Sequence, residues 1–412
     1  MMTSLSTSGI RHPLHPKITF GTVLLGCALA LPLRAETTPP SSIEERVGKL
    51  EAQLQNLQQE NQQLRQQLGE VASQSVATAK QKWPEVRLNV LGSVEYAVNN
   101  APDEPNSVTL GDVDLVTTAR VNEQASATSD YVVASNHGGF VYEIERLFVS
   151  YKFNDAFNLD VGRFHTAMGW YNNFYHNGTY FQTTRDRPNL FLFEDNFGIL
   201  PVHSTGLSLN GDIPSGSAGL SYSLEVSNGR NYTSNEHEAL QIEDDNNFKA
   251  FNFQLRAKPE ALAYWQFGAG AYHDTLTTAL DPANAPDLTR IDQVIFSGFA
   301  VYKSPVVEWF TEGALVGDQP RDGHRHWTFS GYTQLSRKFG KLRPYVRLQW
   351  QDSAGGDPVL RLIGQDVSSW DAQVGLRYDF TSMMALKFEF DHSQPAGEAS
   401  TDEFSNQLSF RF

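Results

Sequence analysis

From Val86 to Phe412 apolar side chains recur at every second position. In one clear segment Trp370, Ala372, Val374, Leu376, Tyr378 and Phe380 share a face. Asp371, Gln373, Arg377 and Asp379 share the other. The last segment repeats this, with Phe404, Leu408, Phe410 and Phe412 against Ser405, Gln407, Ser409 and Arg411. The first does too, with Val86, Leu88, Val90, Val94, Tyr96 and Val98 against Arg87, Asn89, Ser93 and Glu95. A period of two puts alternate side chains on opposite faces of a strand. Sixteen strands are expected, near 86–98, 110–121, 128–135, 140–152, 157–166, 202–211, 218–228, 248–258, 263–273, 291–303, 306–316, 326–338, 342–351, 369–380, 384–392 and 402–412. Counts of 14 or 18 stay open, because 122–139 and 167–201 are ambiguous.

Alternation alone also fits a soluble antiparallel sandwich. Three features favour a closed membrane barrel. Many segments reach the roughly 9–11 residues that a tilted strand needs to cross a bilayer. Aromatics gather at strand ends, as an interfacial girdle requires. The connections also alternate. Tight turns such as Asn154-Asp155, Ser304-Pro305 and Gly340-Lys341 follow even strands. Long polar stretches at 99–109, 167–201, 229–247, 274–290, 352–368 and 393–401 follow most odd ones. Hydrocarbon leaves no unpaired backbone group satisfied, so a spanning sheet must close on itself. A sixteen-strand closure encloses more space than wall side chains fill, which implies a water-filled channel.

The N-terminus follows other periods. Residues 1–35 read as an export signal, with Arg11 and Lys17 ahead of an apolar run from Ile18 to Leu33 and a cleavage position at Ala35. The run is short for a membrane helix, which needs about 20 apolar residues. Leu24-Leu25-Gly26-Cys27 resembles a lipidation box, which leaves open whether Cys27 is lipidated. Residues 36–83 are expected to form a coiled-coil segment, and 84–412 the barrel. Within the first, Val47, Leu54, Asn61 and Leu68 fall at a heptad positions, and Leu50, Leu57, Leu64 and Val71 at d. Ser42 and Glu45 form a capping box at the helix start. A helix with one narrow apolar seam needs partner copies. Leu at both a and d does not choose between dimer and trimer.

Composition narrows the function classes. The 412 residues include 40% hydrophobic and 12% aromatic residues, one Cys, and a formal net charge of −15. A lone Cys excludes a disulfide framework. The acidic balance argues against nucleic acid as a partner. No GxSxG, HExxH or P-loop pattern occurs, so no enzyme activity is expected. No cofactor or metal site is expected, although His165, His176 and His203 bracket the 167–201 stretch.

The export signal, the terminal strand ending in Phe412, and the segments Ile144-Glu145-Arg146, Tyr151-Lys152-Phe153-Asn154-Asp155 and Val161-Gly162-Arg163-Phe164 together resemble bacterial outer-membrane porins. The nearest likeness is to trimeric porins with a periplasmic coiled coil, including the broad phosphate-selective group. It covers about 40–412 at the level of architecture. It implies a Gram-negative outer-membrane location with the coiled coil in the periplasm, contact with membrane lipid and lipopolysaccharide, and a homotrimer. It also implies recognition of the C-terminal strand by the barrel-assembly machinery, and a third external loop folded into the lumen. Stretch 167–201 matches that loop in position and length.

The expected function is passive diffusion of small hydrophilic solutes and ions. The alternative is a structural anchor whose coiled coil links the barrel to the cell wall or periplasmic partners. The constriction residues would be Arg185, Asp186, Arg187, Glu194 and Asp195. Alternation assigns Arg87, Arg343, Arg347, Arg377, Lys387 and Arg411 to the pore wall. Basic wall and acidic loop would then set up a transverse field. Interleaved acids, and the lack of a lysine run, leave the sign of selectivity open and make phosphate selectivity doubtful.

Overall fold

The computed structural model describes residues 47–48, 51–59, 61–63, 83–101, 106–136, 139–175, 180–193, 198–230, 246–279, 288–321 and 323–412. The chain divides into two units, 1–80 and 81–412. In the first, the described residues are helical. Val47, Leu54 and Leu57 are exposed. The Asn61 side-chain amide donates to the Leu57 carbonyl at 3.1 Å. Leu50, Leu64, Leu68 and Val71, like the export signal expected over 1–35, lie outside the described residues.

The second unit is a ring of sixteen strands: β1 (Glu85–Asn99), β2 (Ser107–Arg120), β3 (Ala125–Asn136), β4 (Gly139–Asn154), β5 (Phe157–His165), β6 (His203–Ile213), β7 (Leu220–Ser227), β8 (Ala250–Ala257), β9 (Trp265–Ala279), β10 (Leu288–Lys303), β11 (Val307–Pro320), β12 (His326–Arg337), β13 (Leu342–Ser353), β14 (Ser369–Thr381), β15 (Met384–Pro395) and β16 (Thr401–Arg411). Neighbours in sequence pair antiparallel, and β1 pairs with β16 from Leu91↔Arg411 to Asn99↔Glu403. Each strand therefore has a partner on both sides, and the sheet has no edge.

All sixteen expected strands are present. The largest departure is at β9 and β10, whose ladder runs on to Leu288↔Ala279. It takes in residues that the sequence pattern left in a loop. β3 and β4 are joined by two residues only, 137–138, so that odd-numbered connection is short.

Alternation sorts the two faces. Val346, Leu348, Val374, Phe388, Phe390 and Phe404 point outward and are exposed. Their neighbours Arg347, Gln349, Gln373, Lys387, Glu389 and Ser405 point inward and are buried. One bulge changes the inner face. Asp130 pairs with Arg146 and Tyr131 with Ile144, so Glu145 is the extra residue in β4. It delivers Glu145 and Arg146, neighbours in sequence, to the same interior.

The interior is not polar all round, as strict alternation led us to expect. On β9 to β12 the inward positions include Tyr272, Leu276, Ile291, Ile295, Phe299, Val301, Phe310, Val316 and Tyr332, all buried in one apolar cluster. Those strands are apolar inside because something other than water covers them there. The cover is the 166–202 connection, described next.

Gly162 in β5 has φ +136, and a Cβ there would lie 2.2 Å from the Leu147 carbonyl oxygen of β4. Only glycine fits this conformation and spacing. Gly162→Ala is expected to lower the urea midpoint of the refolded barrel. An unchanged midpoint would show that the β4–β5 backbone can move aside.

Candidate functional site

The 166–202 connection enters the barrel and docks on its inner wall. It begins with one turn of helix, α1 (Tyr171–Phe174), followed after residues outside the description by 180–193, which includes a short 3-10 turn at Asn189–Phe191. Met168, Trp170, Tyr171, Tyr175, Leu190, Phe191, Ile199 and Leu200 join the apolar wall of β9 to β12 in one core. Trp170 lies 4.9 Å from Phe310, and Tyr171 stacks on Phe191 at 5.7 Å between ring centroids. Burying aromatic rings of this size contributes about 1.5–3 kcal/mol each. A further loop adds to the same core. Asp357 caps a short helix, α2 (Pro358–Leu362), by accepting from the Val359 and Leu360 amides at 2.9 and 3.1 Å. Val359, Leu360 and Ile363 are buried there.

Polar contacts fix the loop's path. Glu312 of β11 accepts from the amides of Trp170 and Tyr171 at 2.5 and 2.9 Å, and from the Tyr332 hydroxyl at 2.5 Å. One carboxylate thus satisfies the donors that the first turn of α1 would otherwise leave buried and unpaired. Burial drives the Tyr171 phenol up to about 12, against the pull of Arg187 and Arg347. It therefore stays protonated and donates to the Gln182 side chain.

Three wall cations grip the loop backbone. Arg347 is fully buried. It donates to the Asp186 carbonyl at 2.9 Å, to the Thr184 hydroxyl, and to the Gln334 side chain at 2.8 and 3.0 Å. Arg377 donates to the carbonyls of Tyr180 and Gln182 at 2.6 and 2.7 Å. Lys387 donates to the Thr184 carbonyl at 2.9 Å and to Gln407 at 2.8 Å. The stretch 180–186 has no strand or helix partner, so its carbonyls need donors from the wall. A hydrogen bond to a charged group contributes about 1.5–3 kcal/mol.

These positions refine the assignments made from alternation. Arg343, Arg347, Arg377 and Lys387 do point inward, but each is committed to the loop or to a wall acid. Arg343 pairs with Glu308 at 2.5 Å. Arg411 packs over the rings of Tyr180 and Phe181, at 4.9 and 5.0 Å. Arg87 stands apart from this group. It is largely exposed at the start of β1 and pairs with Glu85 at 2.6 Å.

On the loop, Arg185 faces the neighbouring wall of β15, β16 and β1. It meets Glu403 of β16, Glu95 of β1 at 3.4 Å and Asp186 at 3.2 Å, and its amide donates to Glu389 at 3.1 Å. Burial works against its charge, but Asp186, Glu95, Glu403 and Glu389 together raise its proton affinity, so it stays a cation. Arg187 lies flat over Phe193, 3.4 Å from the ring centroid. Glu194 and Asp195, and His176, fall outside the described residues. His165 and His203 are register partners with rings 5.6 Å apart, and His203 contacts Glu145.

A cavity of about 420 Å³ remains between the loop and the wall of β1 to β4. Six carboxylates line it, from Glu95, Asp112, Asp114, Glu145, Asp186 and Asp391, against the two guanidiniums of Arg185 and Arg187. A second cavity of about 450 Å³ is lined by Arg146, Lys152, Asp160, Glu225 and Arg256. A third, of about 250 Å³, shares Leu91 with the first and Arg146 and Asn173 with the second. The three cavities lie mainly against β1 to β8, the side of the barrel that the loop does not fill. Sequence reasoning missed Asp112 and Asp114 of β2 and Glu145 of β4, the last because the β4 bulge changes the parity there.

The architecture is that of the sixteen-stranded antiparallel barrels of outer-membrane proteins. OmpT of Vibrio cholerae, an outer-membrane protein, matches with a TM-score of 0.55 at 10% identity, over 81% of this chain and 99% of that one. The outer-membrane channel DcaP of Acinetobacter baumannii matches at 0.53 and 12%, over 80% and 97%. An anion-selective porin from Comamonas acidovorans matches at 0.53 and 12%, over 80% and 100%. At these identities the likeness shows the fold. No family model and no curated protein matches the chain.

Arg347→Met is expected to loosen the loop while leaving the ring of strands closed. Limited proteolysis should cut near 184–187 in the variant and not in the parent. An identical digestion pattern would reject the clamp.

Proposed function

We propose that this protein is a passive diffusion channel of the Gram-negative outer membrane, narrowed by the 167–201 loop. The observation that carries the reading is the division of the interior. One side is filled by the docked loop, and the other keeps three neighbouring cavities along β1 to β8. The closed ring and its apolar exterior suit hydrocarbon, where an open sheet edge would leave backbone groups unpaired. Small hydrophilic solutes and ions would pass between the loop and the carboxylate-rich wall. Arg185, Asp186 and Arg187, with Glu194 and Asp195 further along the loop, are the residues we assign to the constriction. Arg343, Arg347, Arg377 and Lys387 shape the passage indirectly, by holding the loop. The buried hydrogen bonds of those cations make a phosphate ladder a poor fit, so the reading is a general channel rather than a phosphate-selective one.

The same proposal includes removal of 1–35 on export, a periplasmic helix over the 43–75 heptads, and assembly as a homotrimer among lipid and lipopolysaccharide. Phe412 at the end of β16 would serve as the mark read by the barrel-assembly machinery.

Purified protein in a planar lipid bilayer should give stepwise conductance. Arg377→Gln combined with Lys387→Met should enlarge the step, because the loop loses three backbone contacts to the wall. A bilayer without steps would reject the channel, and an unaltered step in the variant would reject the loop as the narrowing element.

A further inference from the structure

The carboxylates that line the cavity against β1 to β4 are not equivalent. Glu95 accepts from Ser93 at 2.8 Å and Gln407 at 2.7 Å, and it meets Arg185. Asp391 accepts from Gln373 at 2.8 Å. Glu145 contacts His203. Asp114, on β2, differs. It is only 6% exposed, it lines the cavity, and among the described residues no hydrogen bond or ion pair reaches its carboxylate. The charged groups that act on it are Asp130, Asp112, Glu145 and Arg146. Three are anions. The one cation is already spent, since Arg146 donates to Asp130 from two nitrogens at 3.1 and 3.2 Å. A buried carboxyl among like charges, open on one side to a cavity, is relieved by a proton or by a cation arriving from that cavity.

Leu91 and Val132, both buried, line the cavity beside it. The site therefore offers a carboxylate next to aliphatic surface. A hard divalent ion needs several oxygens converging at about 2.0–2.6 Å, and among the described residues no such group of three acids, histidines or cysteines exists. An ammonium on a short alkyl chain needs one or two carboxylates for its head and apolar surface for its methylenes. The cavity volume of about 420 Å³ falls within the range of small-molecule sites, about 300–1,000 Å³.

We propose that Asp114, with Asp112 beside it, is a subsite in the passage for alkylammonium solutes such as diamines. This rests on the channel reading for its transport consequence, but not for binding itself. A solute entering the space would place its ammonium at Asp114 and its chain along Leu91 and Val132. The six carboxylates of the cavity outnumber the guanidiniums of Arg185 and Arg187, so a second ammonium meets net negative charge and an anionic end is repelled. The subsite thus distinguishes diamines from diacids of the same length.

The test uses the full chain with putrescine as probe, and butanediol and succinate as neutral and anionic controls. In a planar bilayer, putrescine should reduce the potassium current of the parent while the controls do not. Asp114→Asn should weaken that block at least tenfold and shift the reversal potential in a salt gradient toward zero cation preference. Titration calorimetry of detergent-solubilised protein should show putrescine binding that Asp114→Asn removes. Conductance without putrescine block, or block unchanged in the variant, would overturn the subsite and leave the channel standing. Absence of conductance steps with calorimetric binding intact would overturn the channel and keep the subsite. No heat of binding to the parent at millimolar putrescine would overturn the subsite, whether or not the variant folds.

Discussion

The ladder between β1 and β16 is the constraint on which the rest depends. It joins residues three hundred positions apart, from Leu91↔Arg411 to Asn99↔Glu403. Without it the sheet would present two edges of unpaired backbone groups, which hydrocarbon cannot satisfy. Once the ring closes, inside and outside are defined for every strand at once, because alternation then has only two possible destinations. Closure also creates a difficulty. Sixteen strands enclose more volume than their own side chains fill, and that volume must be wet or packed. This chain does both. An inserted loop packs one side with aromatic and aliphatic side chains, and the other side remains polar.

The two solutions need different wall chemistry. Where the loop lies on β9 to β12, the wall is apolar and contact is by ring packing, with Glu312 collecting the stray amides of Trp170 and Tyr171. Where the loop leaves that surface, at 180–186, it has no regular structure and its carbonyls meet Arg347, Arg377 and Lys387. Carbonyls are plentiful and donors scarce along such a stretch. Long cationic side chains with several donors can satisfy two or three carbonyls each from a fixed strand. The interior arginines are thus read as the loop's hydrogen-bond supply before they are read as a field acting on solutes.

This explains why the fold was legible and the site only in part. Period-two alternation is a local signal, and Trp370 to Phe380 shows it without help from the tertiary structure. Turn and loop lengths then ordered the strands. The inner face is where local rules stop. Ile291, Ile295, Phe299 and Val301 alternate like lipid-facing residues, yet they point inward, and only the docked loop makes sense of them. Arg347 and Lys387 were placed on the correct face, but a strand pattern carries no information on whether a side chain meets water or a carbonyl. Arg87 was assigned by the same parity and sits beyond the reach of the loop, since parity gives the face of a strand and not the height along the barrel. The bulge at Glu145 is a further limit, because one inserted residue changes the parity of everything after it.

Net charge is the last quantity whose meaning depends on position. An acidic chain average describes loops, exterior rims and interior together, and no solute in a passage feels that average. In the lumen the sum that matters is over the groups left uncommitted after the structure has used the others. Arg343 is committed to Glu308, Arg146 to Asp130, and Arg347, Arg377 and Lys387 to carbonyls of the loop. Each guanidinium spent on a neutral carbonyl keeps its charge but loses its freedom to move. Asp114 borders the cavity, and among the described residues no hydrogen bond or ion pair reaches its carboxylate. At the cavity against β1 to β4 a wall that looks mixed by residue count is therefore acidic by exposure, because the loop covers much of the positive part on β13 to β15.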